Sequence, residues 1–149
     1  VSSGNIRIRR LDASVAWPSY QSAEAAAFDL AARTRVEVPP GEVRLVPTGL
    51  VIEVPSGHAL LIVARSSLPI RKKLMIANGI GVVDPDYRGA GDEVKVEVYN
   101  FSPGAVTVDA GERIAQGLIV AVRRAVWQQA DDSLMPSRGG FGSTGGYTR

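Results

Sequence analysis

The stretch Asn78-Gly79-Ile80-Gly81-Val82-Val83-Asp84-Pro85-Asp86-Tyr87-Arg88-Gly89 sets two carboxylates one residue apart, straight after an apolar run. A carboxylate that enters from an apolar strand is partly withdrawn from water. Desolvation favours its neutral form and moves it toward the range of a useful general base. Pro85 keeps the preceding residue extended and so fixes the backbone at Asp84. Tyr87 adds an aromatic platform for a flat or sugar-like ligand. Asp, Pro and Gly in this order also make an ordinary turn, and residue types alone leave both readings open.

Three more groups carry chemistry. Arg65-Ser66-Ser67 joins a cation and two hydroxyls at the start of a predicted helical turn. Free backbone N–H groups there suit an anion such as phosphate, although simple helix capping uses the same residues. In "GERIAQG", residues 111–117, Arg113 and Gln116 interrupt a strand-like segment, and the Gln116 amide can donate to a ligand oxygen. Gly-Glu is equally an ordinary turn opening. Residues 137–149 are rich in Gly, Ser and Thr and include Arg138 and Phe141. Their N–H groups and hydroxyls could wrap phosphates while the ring covers a base, and a frayed terminus has the same composition. The Walker pattern is excluded because its Gly-Lys-Ser/Thr end is missing.

Composition narrows the chemistry. The chain has 149 residues, 45% apolar and 21% charged, which suits one domain with a real core. A formal charge of +2 gives no electrostatic stripe, so nucleic acid is not expected as a partner. Without cysteine there is no disulfide, thiolate metal site or cysteine nucleophile. The single histidine, His58, falls in a predicted turn and would have to carry any histidine-based metal site or triad alone. The apolar run from Ala59 to Ala64 is too short to span a bilayer. Residues 1–20 show no secretory apolar segment, so neither membrane nor targeting sequence is expected and a cytoplasmic address fits.

The elements that must hold these groups read as short strands. Residues 35–64 alternate Val, Leu and Ile with polar residues, punctuated by Pro39-Pro40-Gly41 and Pro55-Ser56-Gly57. "EVKVEVYN" has period two, with Val94, Val96 and Val98 on one face and Lys95 and Glu97 on the other. "AVTVDAGERIAQGLIVAVRRAVW" predicts two or three strands with a turn at Asp109-Ala110-Gly111. Residues 65–74 predict one short helix. Residues 22–32 are Ala-rich, which suits helix by propensity, but they are read as strand or coil. The expectation is an all-β sandwich or barrel.

Five short motifs, "AAFDL", "ARSSL", "NGIGVVDPDYRG", "GERIAQG" and "GGFGSTG", occur in this order between residues 26 and 145. In that order they resemble the motifs of the homotrimeric dUTP diphosphatases (dUTPases). The resemblance implies a distorted jelly-roll-like β-barrel over residues 1–136, with a flexible C-terminal arm, 137–149, that closes over the site. It implies hydrolysis of dUTP to dUMP and pyrophosphate, with Asp84 as the general base for water attack on the α-phosphorus. Asn78 and the backbone of Gly81, Val82 and Val83, in a β-hairpin slot, would read uracil. Tyr87 would pack under the deoxyribose. Arg65, Ser66, Ser67 and Gln116 would hold phosphates. Asp29 would hold Mg²⁺ through water, at the end of a strand-like stretch. Arg138, Phe141, Gly142, Ser143 and Thr144 would form the closing arm, with Phe141 over the uracil. Sites would be shared between the three chains.

The chain departs from the family pattern in four places. Ala27-Phe28 replaces Gly-Tyr, Glu112 replaces Asp, residues 90–92 insert "AGD", and Arg138 stands only three residues before Phe141. Two alternatives accompany the resemblance. A dCTP deaminase on the same fold, or a bifunctional enzyme, would use Glu97 as its catalytic acid. It would, however, carry Arg where this chain has Ile70. A non-catalytic nucleotide sensor would use the same pocket for binding alone.

Overall fold

The alternating pattern becomes eleven short strands in the computed structural model, which describes residues 5–131, 136, 137, 139 and 140. They are β1 (Ile8–Arg10), β2 (Phe28–Ala31), β3 (Val36–Val38), β4 (Val43–Pro47), β5 (Leu50–Ile52), β6 (His58–Ala64), β7 (Leu74–Ile76), β8 (Gly81–Val83), β9 (Lys95–Asn100), β10 (Val106–Val108) and β11 (Arg113–Ala121). A four-stranded sheet runs β2-β11-β6-β8 and a three-stranded one β4-β9-β7; β1 pairs with β5 and β10 with β3. Every pairing is antiparallel. The sheets close on one core that includes Leu30, Leu50, Ile52, Leu60, Leu74 and Ile114, and the fold is the distorted jelly-roll type of β-barrel.

Strand β9 shows why the register is firm. Val96 and Val98 are fully buried while Lys95 faces out. A one-residue slip would reverse those faces, and each buried aliphatic side chain is worth roughly 1.5–3 kcal/mol.

Three expectations change. The helix predicted over 65–74 is one turn of π type, Leu68–Lys72, closed by Lys73 at φ 56°. Ser67 stands at its N-cap position but its side chain makes no capping bond, so that hydroxyl remains available. The stretch 22–32 is not a strand ending at Asp29. Residues 22–27 have no apolar alternation and form turns and bends, and β2 begins at Phe28 and runs through Asp29. Finally, β7 pairs with β9 and β8 pairs with β6, so the slot is a corner between two sheets rather than a paired hairpin. Beyond β11, residues 122–131 are exposed and carry no regular structure; Val126 and Trp127 are each 90% exposed.

Candidate active site

The polar groups of β2, β11 and β6 meet on one sheet face. Gln116 stands opposite Asp29 on one side and Val63 on the other. A β-bulge at Ile114 shifts the register, so that Arg113 falls opposite Ala31, two residues from Asp29 and on its face. Arg65 follows β6 and shares the parity of Val63. The Asp29 carboxylate is therefore gripped from both sides: Arg113 Nη1 donates to Oδ2 at 3.0 Å, and Arg65 Nε lies 3.1 Å from Oδ1. The Asp29 side chain is only 3% exposed. The Arg65 N–H is not aimed at Oδ1, which is buried without a hydrogen bond.

Arg65, Ser67, Arg71, Lys72 and Arg113 line a cavity of about 340 Å³. Lys72 is committed there, pairing with Glu112 at 2.8 Å and donating to Thr107 O at 2.8 Å. Arg71 has no such partner among the described residues, and the cavity as a whole is cationic, as an anion site requires. Ser66 is exposed beside it, and Gln116 is half-buried on β11 and is not among the residues lining this cavity.

The second group surrounds β8. Residues 77–80 turn the corner, with Gly79 at φ 74° and Gly79 N–H donating to Ile76 O at 3.0 Å. Asn78 is exposed at this turn. Among the described residues β8 pairs only with β6, so its outer backbone edge keeps N–H and C=O groups that no described strand takes up. After β8, Tyr87 N–H donates to Asp84 O at 3.2 Å, closing a turn with Pro85 in its second position. Tyr87 Oη donates to Glu93 O at 3.1 Å. Asn78, Gly81, Val82, Val83, Asp84 and Tyr87 all line one cleft of about 530 Å³, together with Leu45, Ile62, Asp86, Glu93, Val94 and Lys95.

One sequence expectation fails in the single protomer. The apolar run before Asp84 does not shelter it, because strand alternation sends Val82 outward, 60% exposed, and Asp84 shares its side. The cleft and the cationic cavity have no lining residue in common. Arg138, Phe141, Gly142, Ser143 and Thr144 lie outside the described residues. Glu97 sits half-buried on β9 opposite Leu45 and lines neither cavity.

Sequence reasoning undervalued Arg113 and missed Glu93. The pattern of "GERIAQG" shows a cation interrupting a strand, but only the bulge aims it at Asp29. Glu93 carries no signal beyond being an acid at the head of the Val94–Val98 alternation.

Among the described residues, no three His, Cys, Asp or Glu side chains gather as a metal cage. The Asp29 surroundings fit Mg²⁺ in one manner. Two guanidiniums oppose direct ligation, and Oδ1 has no hydrogen bond but is buried, so a water of a hydrated ion would reach it only with the Arg65 side chain drawn aside. Mg²⁺ commonly keeps several waters and takes phosphate oxygens as ligands.

The molecule is thus an all-β barrel with a polar cleft and a separate cationic cavity, an arrangement suited to an anionic ligand. The dUTPase family matches residues 13–145, and this chain belongs to it. It is 38% identical to the deoxyuridine 5'-triphosphate nucleotidohydrolase of Maricaulis maris, over 97% of this chain and 99% of that protein. The enzyme of the same name from Methylocella silvestris is 43% identical, over 94% and 91%. Among solved structures, the dUTPase of Streptococcus mutans superposes with a TM-score of 0.75 at 29% identity, covering 83% of this chain and all of that one. A Staphylococcus bacteriophage 80alpha dUTPase with dUpNHpp reaches 0.85 at 20% identity, over 96% and 99%, and shares the fold.

Proposed function

We propose that the chain hydrolyses dUTP to dUMP and pyrophosphate at sites shared between three copies, acting on the free nucleotide pool of the cytoplasm. The observation that carries this reading is the cleft itself. It gathers Asn78, the unpaired edge of β8, Asp84 and Tyr87 around a space of nucleoside size. Backbone groups on that edge, with the Asn78 amide, would read the uracil edge. The slot would exclude thymine by its methyl and cytosine by its amino group. The Tyr87 ring lies under the deoxyribose and excludes a 2′-hydroxyl.

Asp84 then takes a proton from the water that attacks the α-phosphorus in line, and the pyrophosphate leaves on the opposite side. Arg65, Ser66, Ser67 and Gln116 hold the phosphates from a second chain, with Asp29 keeping Arg65 in place. Mg²⁺, when bound with the triphosphate, supplies charge neutralisation at the phosphate oxygens. A solved phage phi11 dUTPase is described with a structural Mg(II) ion, a role different from the one proposed for this site. The arm, 137–149, closes over the nucleotide with Phe141 on the uracil, excluding water and completing the shelter that a single protomer does not give Asp84. Val126 and Trp127, each 90% exposed in the single chain, are surface that assembly would cover.

Asp84→Asn tests the reading. dUTP affinity should persist while turnover falls about 10²- to 10⁴-fold, the worth of a positioned general base. Turnover close to that of the unmodified protein would refute the assignment. Rates with dUTP, dTTP, dCTP and UTP side by side test the base and sugar assignments, and ammonia from dCTP would overturn them.

A further inference from the structure

Glu93 lines the Asp84 cleft without a part in the chemistry just described, and its side chain is 13% exposed. Its carboxylate Oε1 accepts the Gly49 N–H at 2.7 Å and stands 4.0 Å from Arg33 Nη1. Arg33 in turn holds Asp12 Oδ2 through Nε at 2.8 Å and Nη2 at 2.7 Å. The side chain is thus tied to the barrel wall.

The main chain of the same residue meets Tyr87. Glu93 O accepts the Tyr87 hydroxyl at 3.1 Å. The intervening loop bonds chiefly to itself: Gly89 N–H donates to Asp92 Oδ2 at 2.6 Å, and Asp92 N–H to Gly89 O at 3.1 Å. Apart from Arg9 of β1, whose guanidinium donates to Ala90 O, Glu93 is where the chain becomes fastened to the barrel again, followed by Val94 N–H donating to Leu50 O at 2.8 Å. Tyr87 itself is 41% exposed on its turn. Its hydroxyl bond ties the ring to a carbonyl whose position the Glu93 carboxylate sets.

We propose that Glu93 is a positioning residue. By fastening position 93 to Gly49 and Arg33 it fixes the Tyr87 ring, and so sets the discrimination between deoxyribose and ribose. The proposal rests on the reading that this ring packs under the sugar. A ring free to swing would still admit dUTP, but would no longer exclude a 2′-hydroxyl firmly.

Steady-state kinetics on dUTP and UTP with four variants test it. Glu93→Ala should narrow the ratio of kcat/KM for dUTP over UTP about three- to tenfold, the worth of one hydrogen bond, mainly by lowering KM for UTP. Glu93→Gln keeps an acceptor for Gly49 N–H and should retain most of the ratio. Tyr87→Phe removes the other end of the bond without touching the barrel, and should narrow the ratio like Glu93→Ala even if the alanine variant fails to fold. Equal loss of kcat/KM for both substrates in Glu93→Ala and Tyr87→Phe would mark a merely structural role and overturn the proposal. A ratio lost in Tyr87→Ala but kept in those two variants would overturn the positioning role alone. A ratio unchanged in Tyr87→Ala would overturn the sugar reading and this proposal with it.

Discussion

Gln116 stands directly opposite Asp29 across the β2–β11 ladder, and the bulge at Ile114 brings Arg113 onto the same face. In an unbroken strand, residues three apart point to opposite sides of the sheet, so Arg113 and Gln116 could not both look toward Asp29. The extra residue removes that conflict. Asp29 then becomes the shared counter-ion of Arg113 and Arg65, residues drawn from two different strand ends.

Removing that counter-ion should weaken the barrel, and exposure decides by how much. Breaking a pair that leaves a charge fully buried costs about 3–5 kcal/mol. Here the survivors can rehydrate, since the Arg65 and Arg113 side chains are 28% and 46% exposed. Asp29→Ala should therefore cost less, about 1–3 kcal/mol, measured as the shift in urea unfolding. A loss indistinguishable from zero would mean that the two ion pairs contribute nothing net.

Gly49 should resist any side chain for two separable reasons. Its φ is +72°, and a Cβ there would lie 2.4 Å from Val15 Cγ2. The left-handed backbone alone costs a non-glycine residue about 1–2 kcal/mol, and the clash adds to it. In urea unfolding, Gly49→Ala should be clearly destabilising. Adding Val15→Ala should recover the steric part and leave the backbone part. Full additivity of the two substitutions would show that no clash exists.

Acid should reveal the N-terminal loop. The Ser14 hydroxyl, donating to Asp12 Oδ1, does most to hold the Asp12 carboxyl below its ordinary value of 3.8. The Ser14 N–H and Arg33 add to the effect, and burial opposes it. A carboxyl lowered by folding binds its proton less readily in the native state. Its contribution is thus complete above the ordinary value and is lost as pH falls through the folded one. Thermal melts from pH 6 to pH 2 should therefore show Ser14→Ala and the unmodified protein converging only at the acid end, with a constant gap near pH 6. A gap that widened with acidity would reverse the assignment.

Much of this was legible along the chain, because it depends on neighbours in sequence. The period of Val94, Val96 and Val98 gave β9, the Pro55-Ser56-Gly57 turn closes where expected, and the cleft residues fall within one short stretch. What stayed hidden depends on pairing between distant segments. The Asp29–Arg113 pair joins residues 84 apart, and Gly49 meets Glu93 across 44. The bulge at Ile114 leaves no mark, since an extra aliphatic residue in an aliphatic strand looks like its neighbours. The surroundings of Asp84 were misread for a related reason. An apolar run shows that neighbours are greasy, but only the pairing of β8 with β6 tells which of them face the acid.

The separation of the cleft from the cationic cavity leads to the last prediction. If Asp84 and Arg65 of one chain served the same site, two chains each lacking one of them could never restore a complete site by mixing. If the cleft of one copy meets the phosphate residues of another, they can. Asp84→Asn and Arg65→Ala chains, each inactive alone, should regain activity when unfolded, mixed in equal amounts and refolded together. Each site then draws its two halves independently, and about one quarter of sites receive both intact contributions. Pyrophosphate release from dUTP at roughly that fraction of the unmodified rate would establish the shared site. No recovery, with mixed oligomers shown to be present by mass, would confine each site to one chain and require the two cavities to join within it.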